Sequence, residues 1–372
     1  MRIVKIITGL GIGGAENMLT DISIELKKRG HEILVVYLLA KDWFVPQLTE
    51  QGITVILIDR KQHSIWSVIR QLRKIIRSFD ADIVHTHLPY ADTVGRSACL
   101  FDCRAKIFTT IHNMDRWKLS KRLRYRLLRL YNRLTVNLWR RNHLIAVSEA
   151  TRQFCMSMEK IRPDKIVTLR NFVNTDLSKK HHRGVKRSEL GYREEDFLLI
   201  NVGRLTGQKS QIDILHAAWQ LKQAGYRNIK FLIIGNGEEY ENLMQYIRQH
   251  ELQEMVRLEA EKWNVYDYFD ISDMFLLTSV YEGFSIALQE ALLNGLPVLA
   301  SDIPANREAI VHGSTGLLYP MGDIDALCRY ITDCKNGIFD IGTMARHIRE
   351  ESSFHTKETY ADKLLGLYHK AL

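Results

Sequence analysis

Met1-Arg2-Ile3-Val4-Lys5-Ile6-Ile7-Thr8-Gly9-Leu10-Gly11-Ile12-Gly13-Gly14-Ala15-Glu16 opens the chain. Ile3–Thr8 is β-branched and reads as a strand, the glycines that follow read as a tight turn, and Glu16–Arg29 reads as a helix. Charges inside the apolar stretch make it a first strand and not a secretion signal. Gly9, Gly11 and Gly14 satisfy G-x-G-x-x-G, but that fingerprint also wants an acid at the end of the second strand. Here that strand ends Tyr37-Leu38-Leu39-Ala40-Lys41, with no acid before Asp42. What survives is the physics of backbone N–H groups that can approach a phosphate at a helix N-terminus.

The same rhythm runs outward from this turn. Ile33–Leu39, Thr54–Ile58, Ile83–His85, Ile107–Ile111 and Leu144–Val147 read as strands, and Ile65–Phe79 as a helix. A further helix follows Ser148, which can cap it. Polar residues and a Lys-Lys-His-His-Arg run interrupt the pattern around Asn171–Gly184, where a linker is expected. The rhythm restarts with strands at Phe197–Val202, Lys230–Ile234, Val256–Leu258, Met274–Thr278 and Pro297–Ser301. Helices are expected at Gln211–Ala224, Glu238–Gln249 and Ile286–Asn294. This predicts an α/β chain of two doubly wound parallel-sheet domains, residues 1–175 and 176–350, followed by a C-terminal helix in 351–372. That helix has apolar residues at Tyr360, Leu364, Leu365 and Tyr368, and its sequence does not say which domain receives them.

The 372 residues are too many for one ordinary core, and 46% apolar with 26% charged residues describes a globular chain. The longest apolar run, Ile33–Ala40, falls far short of the roughly 20 residues that a membrane span needs. Five cysteines (Cys99, Cys103, Cys155, Cys328 and Cys334) form no C-x-x-C pair, so a reduced compartment and no metal site are expected. The net charge of +9 is unevenly spread. Residues 1–178 carry 30 Lys and Arg against 16 Asp and Glu, a balance of +14, while the remainder carries 22 against 27, or −5. The basic half suits a polyanion or an anionic membrane.

Two segments of the second half carry chemistry. Gly203-Arg204-Leu205-Thr206-Gly207-Gln208-Lys209 follows a strand, and its Arg and Lys can clamp two phosphates without a metal. Leu276-Leu277-Thr278-Ser279-Val280-Tyr281-Glu282-Gly283-Phe284-Ser285-Ile286-Ala287-Leu288-Gln289-Glu290-Ala291 reads as strand, loop and helix. The free N–H groups around Gly283, Phe284, Ser285 and Ile286 make an anion site, flanked by carboxylates that suit a hydroxyl-rich ligand. Ile234-Gly235-Asn236-Gly237-Glu238 is a second glycine turn, expected to serve structure rather than ligand contact.

Glu282 and Glu290, within this context and before Asn294-Gly295-Leu296-Pro297-Val298, resemble family 4 of the retaining glycosyltransferases. The resemblance extends to Gly13-Gly14-Ala15-Glu16, Val84-His85-Thr86-His87, Thr110-Ile111-His112 and Ala146-Val147-Ser148-Glu149. Arg204, Lys209 and Asp273 follow, then Glu308 before Gly313-Ser314-Thr315-Gly316, so nearly the whole chain is covered. It implies the GT-B fold, two Rossmann-like domains around a cleft, with acceptor mainly in the first and nucleotide sugar mainly in the second. It also implies that Arg204 and Lys209 hold the donor diphosphate, Glu290 the ribose hydroxyls and Glu282 the transferred sugar. Gly13 and Gly14 would meet the phosphates, and His112 would stand beside the donor sugar; His85 and His87 are expected to be structural. No cofactor is expected. Three positions depart from the family pattern: Ser210 and Ser285 stand where glycines are usual, and Glu259-Ala260-Glu261-Lys262 replaces Leu-Gly-Arg before the base-binding loop.

Arg116–Arg141 contains ten Lys and Arg and no acid. Leu119, Leu123, Leu127, Leu130, Leu134 and Leu138 mark one helical stripe, expected to pack inward. Arg122, Arg124, Arg126 and Arg129 would then face an anionic membrane or a lipid-diphosphate acceptor. No nucleic-acid motif accompanies this charge. The sequence therefore predicts a metal-independent retaining transferase, peripheral on the cytoplasmic face of the cell membrane. It would move a sugar from a nucleoside-diphosphate sugar, UDP-sugar favoured, to a growing, lipid-linked glycan of a bacterial surface polysaccharide. A sugar-nucleotide epimerase of the same architecture and a non-catalytic sugar-nucleotide or glycan-binding protein are the other readings.

Overall fold

The computed structural model describes residues 1–100, 104–114, 122–173, 185–260, 262, 264–351 and 356–372. Most of the expected linker, residues 174–184, lies outside them, as do Arg116, Trp117, Lys118, Leu119, Lys121 and Glu261. The chain divides into two compact units, Met1–Phe172 with His355–Leu372, and Val173–Phe354.

Among the described residues the first unit holds seven strands: β1 (Arg2–Ile7), β2 (Glu32–Tyr37), β3 (Thr54–Leu57), β4 (Ile83–His87), β5 (Lys106–Ile111), β6 (Asn142–Ala146) and β7 (Ile166–Thr168). They form one sheet in the order β3-β2-β1-β4-β5-β6-β7, and every pairing is parallel. Alternation along β1 explains why both faces are covered. Ile3 and Ile7 join a core with helix α1 (Gly14–Lys28), while Val4 and Ile6 join one on the opposite face. The remaining helices are α2 (Val45–Glu50), α3 (Ile65–Ser78), α4 (Pro89–Ala98), α5 (Leu123–Leu138) and α6 (Glu149–Met158). Ser148 caps α6 as expected, its hydroxyl accepting from the Thr151 N–H at 3.0 Å. The C-terminal helix, Lys357–Ala371, packs Tyr360, Ala361, Leu364 and Tyr368 into the α1 core.

The second unit repeats the plan with β8 (Phe197–Val202), β9 (Ile229–Ile234), β10 (Val256–Glu259), β11 (Met274–Leu277), β12 (Val298–Ser301) and β13 (Gly316–Tyr319). Its sheet runs β10-β9-β8-β11-β12-β13, again parallel. The helices are α7 (Gln211–Gln223), α8 (Tyr240–Gln249), α9 (Tyr266–Asp270), α10 (Ile286–Leu293), α11 (Pro304–Arg307), α12 (Ile324–Lys335) and α13 (Ile341–Glu351). In both sheets the order reverses at one place, between β1 and β4 in the first and between β8 and β11 in the second. The carboxyl ends of the strands on either side of such a reversal leave a crevice, where ligands of open α/β sheets bind.

Candidate functional site

In the second unit the loops after β8 and β11 meet at that crevice, and main-chain bonds zip them together. Val280 N–H donates to the Gln208 carbonyl at 2.8 Å, and the Thr278 hydroxyl lies 2.9 Å from the carbonyls of both Lys209 and Ser210. The Gln208 amide reaches the Tyr281 carbonyl at 2.9 Å. Gly235 and Gly237 let the neighbouring β9 turn close against the same loop. A Cβ on Gly235 would stand 2.0 Å from the Gly203 carbonyl oxygen, and one on Gly237 2.1 Å from that of Leu205. Their role is close backbone approach, as their sequence context implies.

This scaffold carries Lys209 Nζ to 2.5 Å from Glu282 Oε1, and the Ser279 hydroxyl donates to the same oxygen at 2.6 Å. The side chain of Glu282 is only 6% exposed and that of Lys209 18%. A nearly buried carboxylate held by an ammonium and a hydroxyl is a positioned ion pair rather than a free nucleophile. Arg204 is exposed and forms no ion pair among the described residues, so one cation of the expected clamp is engaged and the other faces solvent.

Helix α10 begins directly after this loop. Ser285 is its N-cap, with its hydroxyl 3.4 Å from the Leu288 N–H, while Gly283 is buried and Phe284 and Ile286 half-buried. Glu290 lies in the second turn, half-buried and without a side-chain hydrogen bond among the described residues. Burial pushes its carboxyl up to about 7. Asp273, by contrast, is structural: it pairs with Arg187 at 2.9 Å and accepts the Leu198 N–H at 2.7 Å. Glu259 is held by Arg257 at 2.5 Å and Lys262 at 3.1 Å.

At the crevice of the first unit, Gly13 caps α1 with its backbone alone and Gly14 opens the helix. On the other side, β4 ends in His87 and Leu88, and Leu88 has φ +73°, a conformation that costs a leucine strain. His87 Nδ1 lies 2.9 Å from Nε2 of His112, which follows β5. His85 stacks on His87 with ring centroids 4.4 Å apart. Burial depresses all three imidazoles, His112 to about 4. His85 serves structure, bonded to the Tyr368 hydroxyl at 2.5 Å and the Thr110 hydroxyl at 2.8 Å, which ties the C-terminal helix to the sheet. Lys5, its register partner on β1, is fully buried, and burial lowers its ammonium to about 7. Sequence reasoning missed Lys5 because a lysine inside a strand ordinarily reads as solvent-facing.

Helix α5 corrects one expectation. The leucine stripe does not pack inward: Leu123, Leu127, Leu130, Leu134 and Leu138 are 45–71% exposed. The cause lies in α4, where Arg96 is buried at 3% exposure and needs hydrogen-bond acceptors. α5 turns Asn132 and Thr135 toward it, at 2.8 and 3.2 Å, and Asn132 also donates to Glu159 at 3.3 Å. The leucines are left outside. Arg126 and Arg133 are exposed, as is Arg122 at the N-cap, and Arg129 is half-buried. The side chain of Arg124 lies outside the described residues. Among the described residues no helix is long and apolar enough to cross a membrane.

Two parallel doubly wound sheets, one with a glycine turn at its reversal point and the other with an Arg/Lys/Glu loop pair, are the two domains of a GT-B architecture. The comparisons agree. Residues 12–177 match Glycosyltransferase Family 4 and residues 183–338 match Glycosyl transferases group 1. The chain belongs to these glycosyltransferases. It is 25% identical over 84% of its length to N-acetyl-alpha-D-glucosaminyl L-malate synthase of Bacillus anthracis, of which the match covers 82%. It is 27% identical over 68% of its length to the UDP-Gal:alpha-D-GlcNAc-diphosphoundecaprenol alpha-1,3-galactosyltransferase of Escherichia coli, of which 66% is covered. Among solved structures, Anabaena HepE in complex with UDP superposes with a TM-score of 0.85 at 20% identity, covering both chains fully.

Proposed function

We propose that this glycosyltransferase moves a sugar from a UDP-sugar to a hydroxyl of a lipid-linked glycan in the assembly of a bacterial surface polysaccharide, with retention of anomeric configuration and without a metal. The observation that carries the reading is the Lys209–Glu282–Ser279 cluster at the crevice between β8 and β11, beside the α10 N-terminus. Lys209 and Arg204 would meet the diphosphate, and the amides from Gly283 to Ile286 would add N–H donors. Gly13 and Gly14 would supply further amides from the first unit. Glu290 would accept the ribose hydroxyls, Glu282 would hold Lys209 and the sugar, and His112 would stand beside the sugar. Solved complexes of HepE with UDP and with UDP-glucose, and the name of the Escherichia coli relative, support the donor and acceptor classes.

The bond between the anomeric carbon and the β-phosphate oxygen breaks, and the acceptor oxygen bonds to that carbon from the same face. The acceptor proton passes to the departing diphosphate, whose charge Lys209 and Arg204 stabilise. Engagement of Glu282 by two donors supports this over a covalent intermediate on that carboxylate.

The outward leucines of α5, flanked by arginines and free of acids, support peripheral attachment to an anionic bilayer, at the face where a lipid-linked acceptor is presented. The test of the whole reading is turnover with UDP-sugars on undecaprenyl-diphosphate-linked GlcNAc. Transfer with retained configuration is expected, falling at least ~10-fold in Lys209→Ala as one charge-assisted contact is lost. Conversion of the donor sugar with no acceptor present would point instead to an epimerase.

A further inference from the structure

Beneath α5, the first unit has a partly open cavity of ≈ 50 Å³ with His112 in its wall. Its lining is of two kinds. Arg96, Asn132 and Glu159 form one hydrogen-bonded polar wall, and Val136, Leu144 and Ile161 belong to one apolar cluster. Arg96 spends one N–H each on the Asp92 carbonyl, Thr135 and Asn132, which leaves two of its five without a partner among the described residues. Every one of those acceptors is neutral, so the guanidinium is buried with donors to spare. A group that suits these walls needs an acceptor for Arg96, a donor for the carboxylate side and a small apolar end. At roughly 10–15 Å³ per water in such a volume, the space holds about four non-hydrogen atoms. A simple hydroxyl leaves the apolar wall bare, and a carboxylate would be repelled by Glu159.

We propose that this cavity is a subsite for the N-acetyl group of an amino sugar, the carbonyl meeting Arg96 and Asn132 and the methyl meeting Val136, Leu144 and Ile161. Because every lining residue belongs to the first unit, where the reading above puts the acceptor, the amino sugar belongs to the acceptor; that assignment rests on that reading. The cavity then selects the acceptor by its 2-acetamido substituent, in a unit that does not contain the Arg204–Lys209 loop.

The experiment is saturation-transfer NMR on the full chain with methyl N-acetyl-α-glucosaminide and methyl α-glucoside as probes, alongside the thermal shift given by UDP. The acetyl methyl should receive the strongest transfer, and the acetamido sugar should bind ~10-fold more tightly, as expected for a charge-assisted hydrogen bond. Asn132→Leu should erase the preference; Thr93→Phe, at a half-buried position on the cavity wall, should erase it while leaving the polar network in place. Both variants should keep the UDP shift. Equal binding of the two glycosides, binding of neither by protein that responds to UDP, or a preference that survives Thr93→Phe would overturn the subsite. Loss of the UDP response with the acetamido preference intact would instead overturn the transferase reading alone.

Discussion

Ser210 occupies a left-handed turn, φ 48° and ψ 44°, where the loop after Lys209 enters α7. That geometry accounts for the glycine usual at this place: an L side chain pays strain there and glycine does not. Serine tolerates it with a hydrogen bond from its hydroxyl to Asp213 at 3.0 Å. Ser210→Val should therefore destabilise the protein by about 1–2 kcal/mol, while Ser210→Gly should stay within about 1 kcal/mol of the parent. Urea unfolding distinguishes them, and equal midpoints would contradict the strain. Glu290 offers a second prediction. With its carboxyl pushed up to about 7, the free protein carries a proton there below neutrality. A carboxylate accepts hydroxyls better than a protonated acid, so UDP affinity should rise from pH 6 to pH 8, with a shallower rise in Glu290→Gln. The same proton binding favours the folded state at low pH. Its contribution is fully present below the unfolded carboxyl value and is lost as the pH rises through about 7. Identical pH profiles for UDP binding in parent and variant would remove Glu290 from the ribose site.

Among the elements, α5 shows what periodicity can and cannot tell. The spacing of its leucines correctly marks a helix and a stripe. It does not say which way the stripe points, because that depends on Arg96, a residue on another helix whose burial no local pattern announces. An amphipathic helix that turns its polar side inward and its leucines outward resembles an interfacial helix rather than a core one. Replacing Leu123, Leu127 and Leu134 with serine should release the protein from phosphatidylglycerol vesicles and leave UDP binding unchanged. Reversing Arg122, Arg124, Arg126 and Arg129 should do so with a stronger dependence on salt. Sedimentation with vesicles reads both, and undiminished binding of both variants would refute the membrane face. The strands were legible because each is a short β-branched run followed by a turn. Short helices such as Val45–Glu50 and Pro89–Ala98, and the strand Gly316–Tyr319, carried too few residues to show a period.

For the whole chain, the two-sheet plan was readable from its rhythm, and so were the two loops that bring Lys209 to Glu282. The destination of the last helix was not. Its apolar face names no partner, and only the structure shows Tyr360 and Tyr368 returning to the first unit, where Tyr368 meets His85. The cavity beneath α5 was equally hidden, since Arg96, Asn132 and Glu159 come from three elements far apart in sequence. The charge asymmetry fits the proposed division of labour, a basic first half for a membrane-borne acceptor and a mildly acidic second half in which Arg204 and Lys209 stand at the crevice. In the proposed function the crevice between β8 and β11 binds the donor's diphosphate. Isothermal titration of UDP into the full chain and into Lys209→Ala tests it most directly. One site in the parent, weakened at least ~10-fold in the variant, is the expected result. Equal heats and affinities in the two proteins, or no binding to the folded parent, would contradict it.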